Sequence, residues 1–200
     1  MEVQNLSASN EFKPIGTSNN KKQIIITDTK RGYKNYINSL RYRYNKNNPY
    51  LPHYIITKDG DVFQIMEPQS YSKYMDDEDV NRYGIIITLE NYNWFKKNPL
   101  QDSYVNWIGD IYKKKAYEKK WRDHFFWDPY TEIQLENLAN LISELCEKFN
   151  IPKTCLGNNV KQDDVEYFKG VVSRSNFDFI YKDVNPSFNF KRLEELLKNE

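Results

Sequence analysis

Few residues in this 200-residue chain can hold a metal or shuttle a proton through an imidazole or thiol: His53, His124, Cys146 and Cys155. Two cysteines fall short of a zinc-binding cysteine cluster and of a disulfide framework. They are expected to be partly buried thiols. His53 opens a β-branched run and is expected to be a hydrogen-bonded strand residue. His124, between Asp123 and Phe125, is expected on the surface or in a small core. All four tryptophans (Trp94, Trp107, Trp121, Trp127) fall between residues 92 and 130. Trp107, Trp121 and Trp127 are read either as the core of that segment or as a stacking platform for a sugar or base. Lys113, Lys114 and Lys115 begin a basic stretch that runs to Arg122. That stretch is read as a solvated helix face or as a contact for an acidic partner.

The elements that must position these residues follow from hydrophobic period and turn chemistry. Residues 1–22 are polar, Ser/Asn-rich and aperiodic, and read as a flexible arm. Ile24-Ile25-Ile26, ending in Thr27-Asp28-Thr29, has the continuous β-branched character of a buried strand. Tyr33, Tyr36, Ile37, Leu40 and Tyr44 recur at helical spacing. Asn47 to Pro52 reads as a turn. His53–Thr57 and Val62–Met66 flank Asp59-Gly60, a strong hairpin signal. Residues 69–82 read as a polar loop and Gly84–Asn91 as a central strand. Thr131 and Gln134 form a capping box, followed by a helical stripe from Ile133 to Phe149. A loop with a short strand through Gly157, an elaboration at 160–180 and a last helix built on Phe190, Leu193, Leu196 and Leu197 complete the chain. The expectation is an α/β fold: a mixed central β-sheet flanked by helices, spanning 23–200, with an aromatic-rich insertion at about 92–130.

Bulk properties narrow the function classes. Aromatics at 16% argue against disorder. A net charge of +1 gives no global electrostatic case for nucleic acid or a membrane surface. No apolar run approaches the roughly 20 residues needed to span a bilayer, and no secretory leader is evident. The expected location is therefore the cytoplasm at synthesis, then a phage virion or release by lysis.

Five stretches, in order, resemble the zinc-dependent N-acetylmuramoyl-L-alanine amidases, a family that includes peptidoglycan recognition proteins and amidase-type phage lysozymes. They are Ile24–Thr29; His53-Tyr54-Ile55-Ile56 with Lys58-Asp59-Gly60; Ile85–Asn91; the helix from Thr131 through Ile151-Pro152 to Leu156-Gly157; and Asp183-Val184-Asn185-Pro186-Ser187-Phe188. The resemblance implies a zinc held by His, His and Asp or Cys, with water in the open position. The first ligand position falls on Thr27, or on Asp28 if the register slips by one. The second falls on Asn158, and the third, Asp183, is retained. The catalytic helpers are altered as well: Thr88, Pro52 and Tyr181 stand where a Glu, a Tyr and a Lys are expected, with Lys182 one position on. The binding groove implied by the resemblance would draw on His53, Tyr50, Tyr181 and Asn158.

Three functions follow as expectations. The first is a non-catalytic amidase-fold protein that binds a peptidoglycan fragment or serves as a structural part of a phage particle, with partner proteins and no cofactor. The second is an active amidase with a rearranged site built on Asp28, Asp183 and one further group; zinc belongs only to this case. The third is an interaction module acting through the insertion, with Trp107, Trp121, Trp127 and Lys113–Lys115 as its surface.

Overall fold

The computed structural model of the chain describes residues 2–6, 11–46 and 50–199; Asn47, Asn48 and Pro49 of the expected turn lie outside them. At the centre lie two parallel strands, β3 (Gln23–Asp28) and β7 (Gly84–Leu89), buried along their whole length. Parallel strands covered on both faces need apolar side chains at successive positions, which Ile24–Ile26 and Ile85–Ile87 supply. Beside β7 runs β4 (Tyr54–Ile56), parallel to it and antiparallel to β5 (Val62–Gln64). The β4–β5 turn is the expected one. Gly60 has φ +90°, and a Cβ there would meet Ile133 at 2.6 Å, so both backbone and packing demand glycine.

The six-stranded sheet is completed by β1 (Val3–Asn5), parallel to β5, and β13 (Gly170–Ser173), parallel to β3, in the order β1-β5-β4-β7-β3-β13. Both edge strands depart from expectation. The short strand expected near Gly157 is reduced to a single bridge, Cys155 to Val171, and the edge itself lies inside the supposed elaboration at 160–180.

The supposed N-terminal arm is also tied to the fold. Besides β1, it contributes β2 (Gly16–Thr17), which pairs with β6 (Ser70–Tyr71), and the buried ring of Phe12. Lys21 is 3% exposed, and its ammonium donates to the carbonyls of Ser70, Arg82 and Gly84 at 2.8, 3.1 and 3.2 Å. Burial lowers its pKa to about 8. Lys21→Ala removes the donor from three carbonyls; a loss of roughly 2–3 kcal/mol is expected in urea unfolding, whereas a true flexible arm predicts no change.

Helix α3 (Glu132–Phe149) packs on one face of the sheet with α4 (Phe190–Lys198). Leu135, Leu138 and Ile142 meet Ile24, Ile26, Ile85 and Ile87 there. Its capping box forms as expected, with Thr131 Oγ1 accepting from Gln134 N and Gln134 Oε1 from Thr131 N. Ile133, expected in the apolar stripe, is 41% exposed but covers Gly60. On the other face, α1 (Tyr33–Asn45) buries Tyr36, Ile37 and Leu40 against Ile55, Phe63 and Ile65. A short α2 (Glu78–Tyr83), inside the supposed 69–82 loop, packs Val80 on Ile25 and Ile86.

Residues 92–130 form a separate antiparallel sheet: β8 (Trp94–Lys97), β9 (Tyr104–Val105), β10 (Ile111–Tyr112), β11 (Tyr117–Trp121) and β12 (His124–Trp127), in the order β10-β9-β8-β12-β11. The expected aromatic core is present. Phe95 stacks on Tyr112 at 4.5 Å, and Tyr104 packs against Phe126 at 5.2 Å. The basic stretch is not a helix face. Lys113–Lys115 sit exposed ahead of β11, whose residues are mostly exposed on the sheet edge. Pairing of Tyr117 with Trp127 and Trp121 with His124 overrides the helical preference of a Lys-rich run. Lysines on such an edge also discourage strand addition by other chains. The insertion docks through Asp128, fully buried, whose Oδ2 lies 2.9 Å from Lys58 Nζ.

Candidate functional site

The crevice beyond the carboxyl ends of parallel strands is where open α/β sheets gather their ligands. Here that crevice is an open cleft of about 450 Å³, bordered by Asp28–Arg31 after β3, by α1, by Tyr74, by Arg174 after β13 and by Trp107 of the insertion. Its floor is a cluster of buried hydroxyls. Thr27 Oγ1 lies 2.9 Å from both Tyr74 OH and Thr88 Oγ1, and Tyr36 OH lies 3.2 Å from Tyr74 OH. Burial, then Tyr74, holds the Tyr36 phenol well above its ordinary pKa, so its hydroxyl keeps its proton.

Asp28 points to the opposite side of the strand from Thr27, as alternation demands. Its carboxyl accepts from Tyr130 OH at 2.6 Å and from Asn93 Nδ2 at 2.9 Å. Burial, followed by the nearby Asp183 charge, raises its pKa to about 8, against the pull of those two donors and Lys30. Burial and the Asp183 charge thus favour the protonated form of the Asp28 carboxyl.

Asp183 is fully buried. Lys30 Nζ lies 3.4 Å from Oδ1 and Arg174 Nη1 lies 3.8 Å from Oδ2, and among the described residues neither oxygen has a hydrogen-bond partner. The Arg174 guanidinium lies over the Tyr181 ring at 4.0 Å. Burial alone would lower its pKa, but Asp183, Tyr74 and Tyr181 outweigh burial and raise it. Asn158 is committed elsewhere: Oδ1 accepts from Val160 N and Asn176 Nδ2, both at 3.0 Å, and Nδ2 donates to Leu156 O at 3.1 Å.

These residues do not fit a zinc ion. A catalytic zinc takes three His, Cys or carboxylate donors. Thr27 offers a hydroxyl held by two other hydroxyls, Asn158 an amide already saturated, and Asp183 a carboxylate flanked by two cations. Among the described residues no three His, Cys, Asp or Glu side chains gather as a metal-holding group.

The remaining expected site residues scatter. Thr88 belongs to the hydroxyl floor, Pro52 is buried, and Tyr181 donates its hydroxyl to Asp76. Lys182 Nζ donates to His124 Nε2 at 2.8 Å, and His124 stacks on Trp94 at 4.2 Å, a small-core role. Burial, then Lys182, lowers the His124 pKa. Of the four groove residues expected, Tyr50 borders the cleft. His53, Tyr181 and Asn158 do not line it. His53 is 1% exposed, with Nδ1 accepting from Ile86 N at 2.8 Å and Nε2 2.9 Å from Ser70 O, so both ring nitrogens serve the fold. Among the insertion candidates, Trp127 is fully buried and Trp121 packs on it at 5.3 Å, so neither is a free platform. Trp107 is 47% exposed and donates Nε1–H to Lys30 O at 2.8 Å, which brings the insertion to the cleft wall.

Four cations line the cleft: Lys30, Arg31, Arg43 and Arg174. Sequence reasoning missed all of them, and Tyr74 too. The signal available was Lys30-Arg31 directly beyond the end of β3. Arg31 lies 4.9 Å from the Trp107 ring, and its buried Nε has no hydrogen-bond partner among the described residues. Burial and then Arg43 lower its pKa, while Tyr36 and then Asp110 pull the other way.

A family profile described as N-acetylmuramoyl-L-alanine amidase matches residues 17–166. The chain belongs to this amidase family. Solved amidase structures share its fold. The amidase LysC from Clostridium intestinale URNW superposes with a TM-score of 0.56 at 11% identity, over 99% of this chain and 98% of that one. The endolysine amidase LysCS from the same organism gives 0.58 at 12% identity, over 98% and 95%. AmiD from E. coli, solved with the substrate anhydro-N-acetylmuramic acid-L-Ala-D-gamma-Glu-L-Lys, gives 0.55 at 16%, over 91% of this chain and 59% of AmiD. No curated protein sequence matches the chain significantly. In this amidase-family chain, the family match ends before Asp183 and the cleft cation Arg174, so those two positions rest on the geometry alone.

Proposed function

We propose that this amidase-family protein binds peptidoglycan and does not hydrolyse it. The observation that carries this is the cation pair at Asp183: Lys30 and Arg174 flank the carboxylate that the family resemblance makes a metal ligand, while Thr27 and Asn158 spend their donor atoms within the fold. Among the described residues that border the cleft the one carboxyl is Asp28, and burial and the Asp183 charge raise its pKa, which weakens it as a base. The family fold, and the peptidoglycan fragment bound by AmiD at the same scaffold, support peptidoglycan as the ligand class. The setting we infer is a phage particle or lysate, since LysCS is an endolysine. Among the described residues no helix is long and apolar enough to cross a membrane.

The test combines metal analysis, co-sedimentation and cleavage. Protein purified with zinc in the medium should carry far less than one zinc per chain. It should co-sediment with insoluble peptidoglycan sacculi and release no new L-alanine amino termini from them. Stoichiometric zinc together with amide cleavage would overturn the proposal, as would failure to bind sacculi.

A further inference from the structure

Four cations and one carboxyl, Asp28, border the cleft. Lys30 and Arg174 face Asp183, whereas Arg31 feels the like charge of Arg43, offset in part by Tyr36 and Asp110, and the buried Nε atoms of Arg31 and Arg174 lack hydrogen-bond partners among the described residues. Cations held close together in a half-enclosed site focus a field that attracts an anion. Guanidinium forks match the geometry of an oxyanion. The rim adds ring faces: Trp107 and Tyr42 are 47% and 67% exposed, and Tyr50 is half-buried beside them. Aromatic faces beside arginines suit a ligand with both a ring and a charge. A volume of about 450 Å³ falls within the usual range for small-ligand sites.

We infer that the cleft selects a carboxylated sugar: an N-acetylmuramic acid residue whose lactyl carboxylate is free, as on glycan strands stripped of their peptides. The inference rests on the peptidoglycan binding proposed above and names what is recognised. When the lactyl group is joined to L-alanine its charge is gone, and an amide carbonyl is what a polarising metal needs. A guanidinium–ammonium set without a metal or base gains most from the carboxylate, where charge-assisted hydrogen bonds are strongest. A glycerol phosphate polymer would satisfy the cations but offers no ring face to Trp107 or Tyr42.

Calorimetric titration of the full chain with three probes tests this. They are the N-acetylglucosaminyl-N-acetylmuramic acid disaccharide with a free lactyl carboxylate, the same disaccharide as its lactyl primary amide, and di-N-acetylchitobiose. The carboxylate form is expected to bind at least about tenfold tighter than the amide, a preference that weakens at high salt. Arg31→Gln should erase most of the preference. Arg43→Gln, a half-buried cleft-lining position near the end of α1, should reduce it even if the first variant folds poorly. Equal binding of the amide or of chitobiose overturns the inference. So does poly(glycerol phosphate) outcompeting the disaccharide. If sacculi co-sediment but no disaccharide binds, the cleft assignment fails while peptidoglycan binding stands. If sacculi do not co-sediment, the proposed function has failed first.

Discussion

Acidification from neutral pH to below pH 3 is expected to remove roughly 4–5 kcal/mol of stability through His53 alone. Burial, and then the neighbouring Lys21 ammonium, press its pKa from 6.5 to about 3, with the Ser70 carbonyl pulling the other way. The physical cause is visible in the ring's bonds. Nδ1 must stay unprotonated to accept from Ile86 N, on the central strand, and Nε2–H is spent on Ser70 O. A second proton would set two N–H groups against each other in a site that already holds Lys21. The sign follows directly. Between pH 6.5 and 3 the unfolded chain carries the proton and the folded chain does not. Stability is therefore complete above pH 6.5 and falls as pH drops through that window. His53→Gln should be less stable at pH 7, because Ile86 N loses its acceptor, yet it should lose less on acidification. Urea unfolding of both proteins across this range measures the difference in slope. Equal slopes would show that His53 titrates normally and is not locked by its two bonds.

His53 also marks how far the sequence reaches. Its role as a hydrogen-bonded residue at a strand was legible, because a polar ring in a β-branched run must find partners. The partners were not, since Ile86 and Ser70 lie 33 and 17 positions away. The same division holds elsewhere. The strand at Ile24–Ile26, the Asp59-Gly60 hairpin and the Thr131/Gln134 cap depend on local pattern and turn chemistry, and each forms as expected. Edge strands carry weaker local signals. Val3–Asn5 has one apolar residue, and Gly170–Ser173 has two, so their place in the sheet is decided by the strands they join. The basic stretch misled because lysine favours helix, while Tyr117 and Trp121 pair across a hairpin. In the site, Thr27, Thr88 and Asp183 could be assigned from order along the chain. Lys30 and Arg174 could not, because what defines their role is proximity to a buried carboxylate 153 and 9 residues away.

That proximity gives the second large expected effect: Arg174→Ala should cost about 3–5 kcal/mol, because it strips a buried carboxylate of one of its two partners. Asp183 is 0% exposed and its carboxylate oxygens have no hydrogen bond among the described residues, so Lys30 at 3.4 Å would remain as its ion-pair partner. Part of the loss would come from the guanidinium's contact with the Tyr181 ring, 4.0 Å away, and a single variant cannot separate the two. Asp183→Asn in the Arg174→Ala background does. With the buried charge gone, the double variant should recover at least about 1 kcal/mol relative to additivity. The coupling has a meaning beyond stability. A divalent zinc ion and an ammonium–guanidinium pair carry the same formal charge, so Asp183 meets a comparable charge environment from side chains where a metal ligand would meet an ion. Side-chain cations neutralise a carboxylate but supply no open coordination position and no acidified water. If Arg174→Ala costs less than about 1 kcal/mol, or the double variant is strictly additive, the guanidinium is not Asp183's counter-charge.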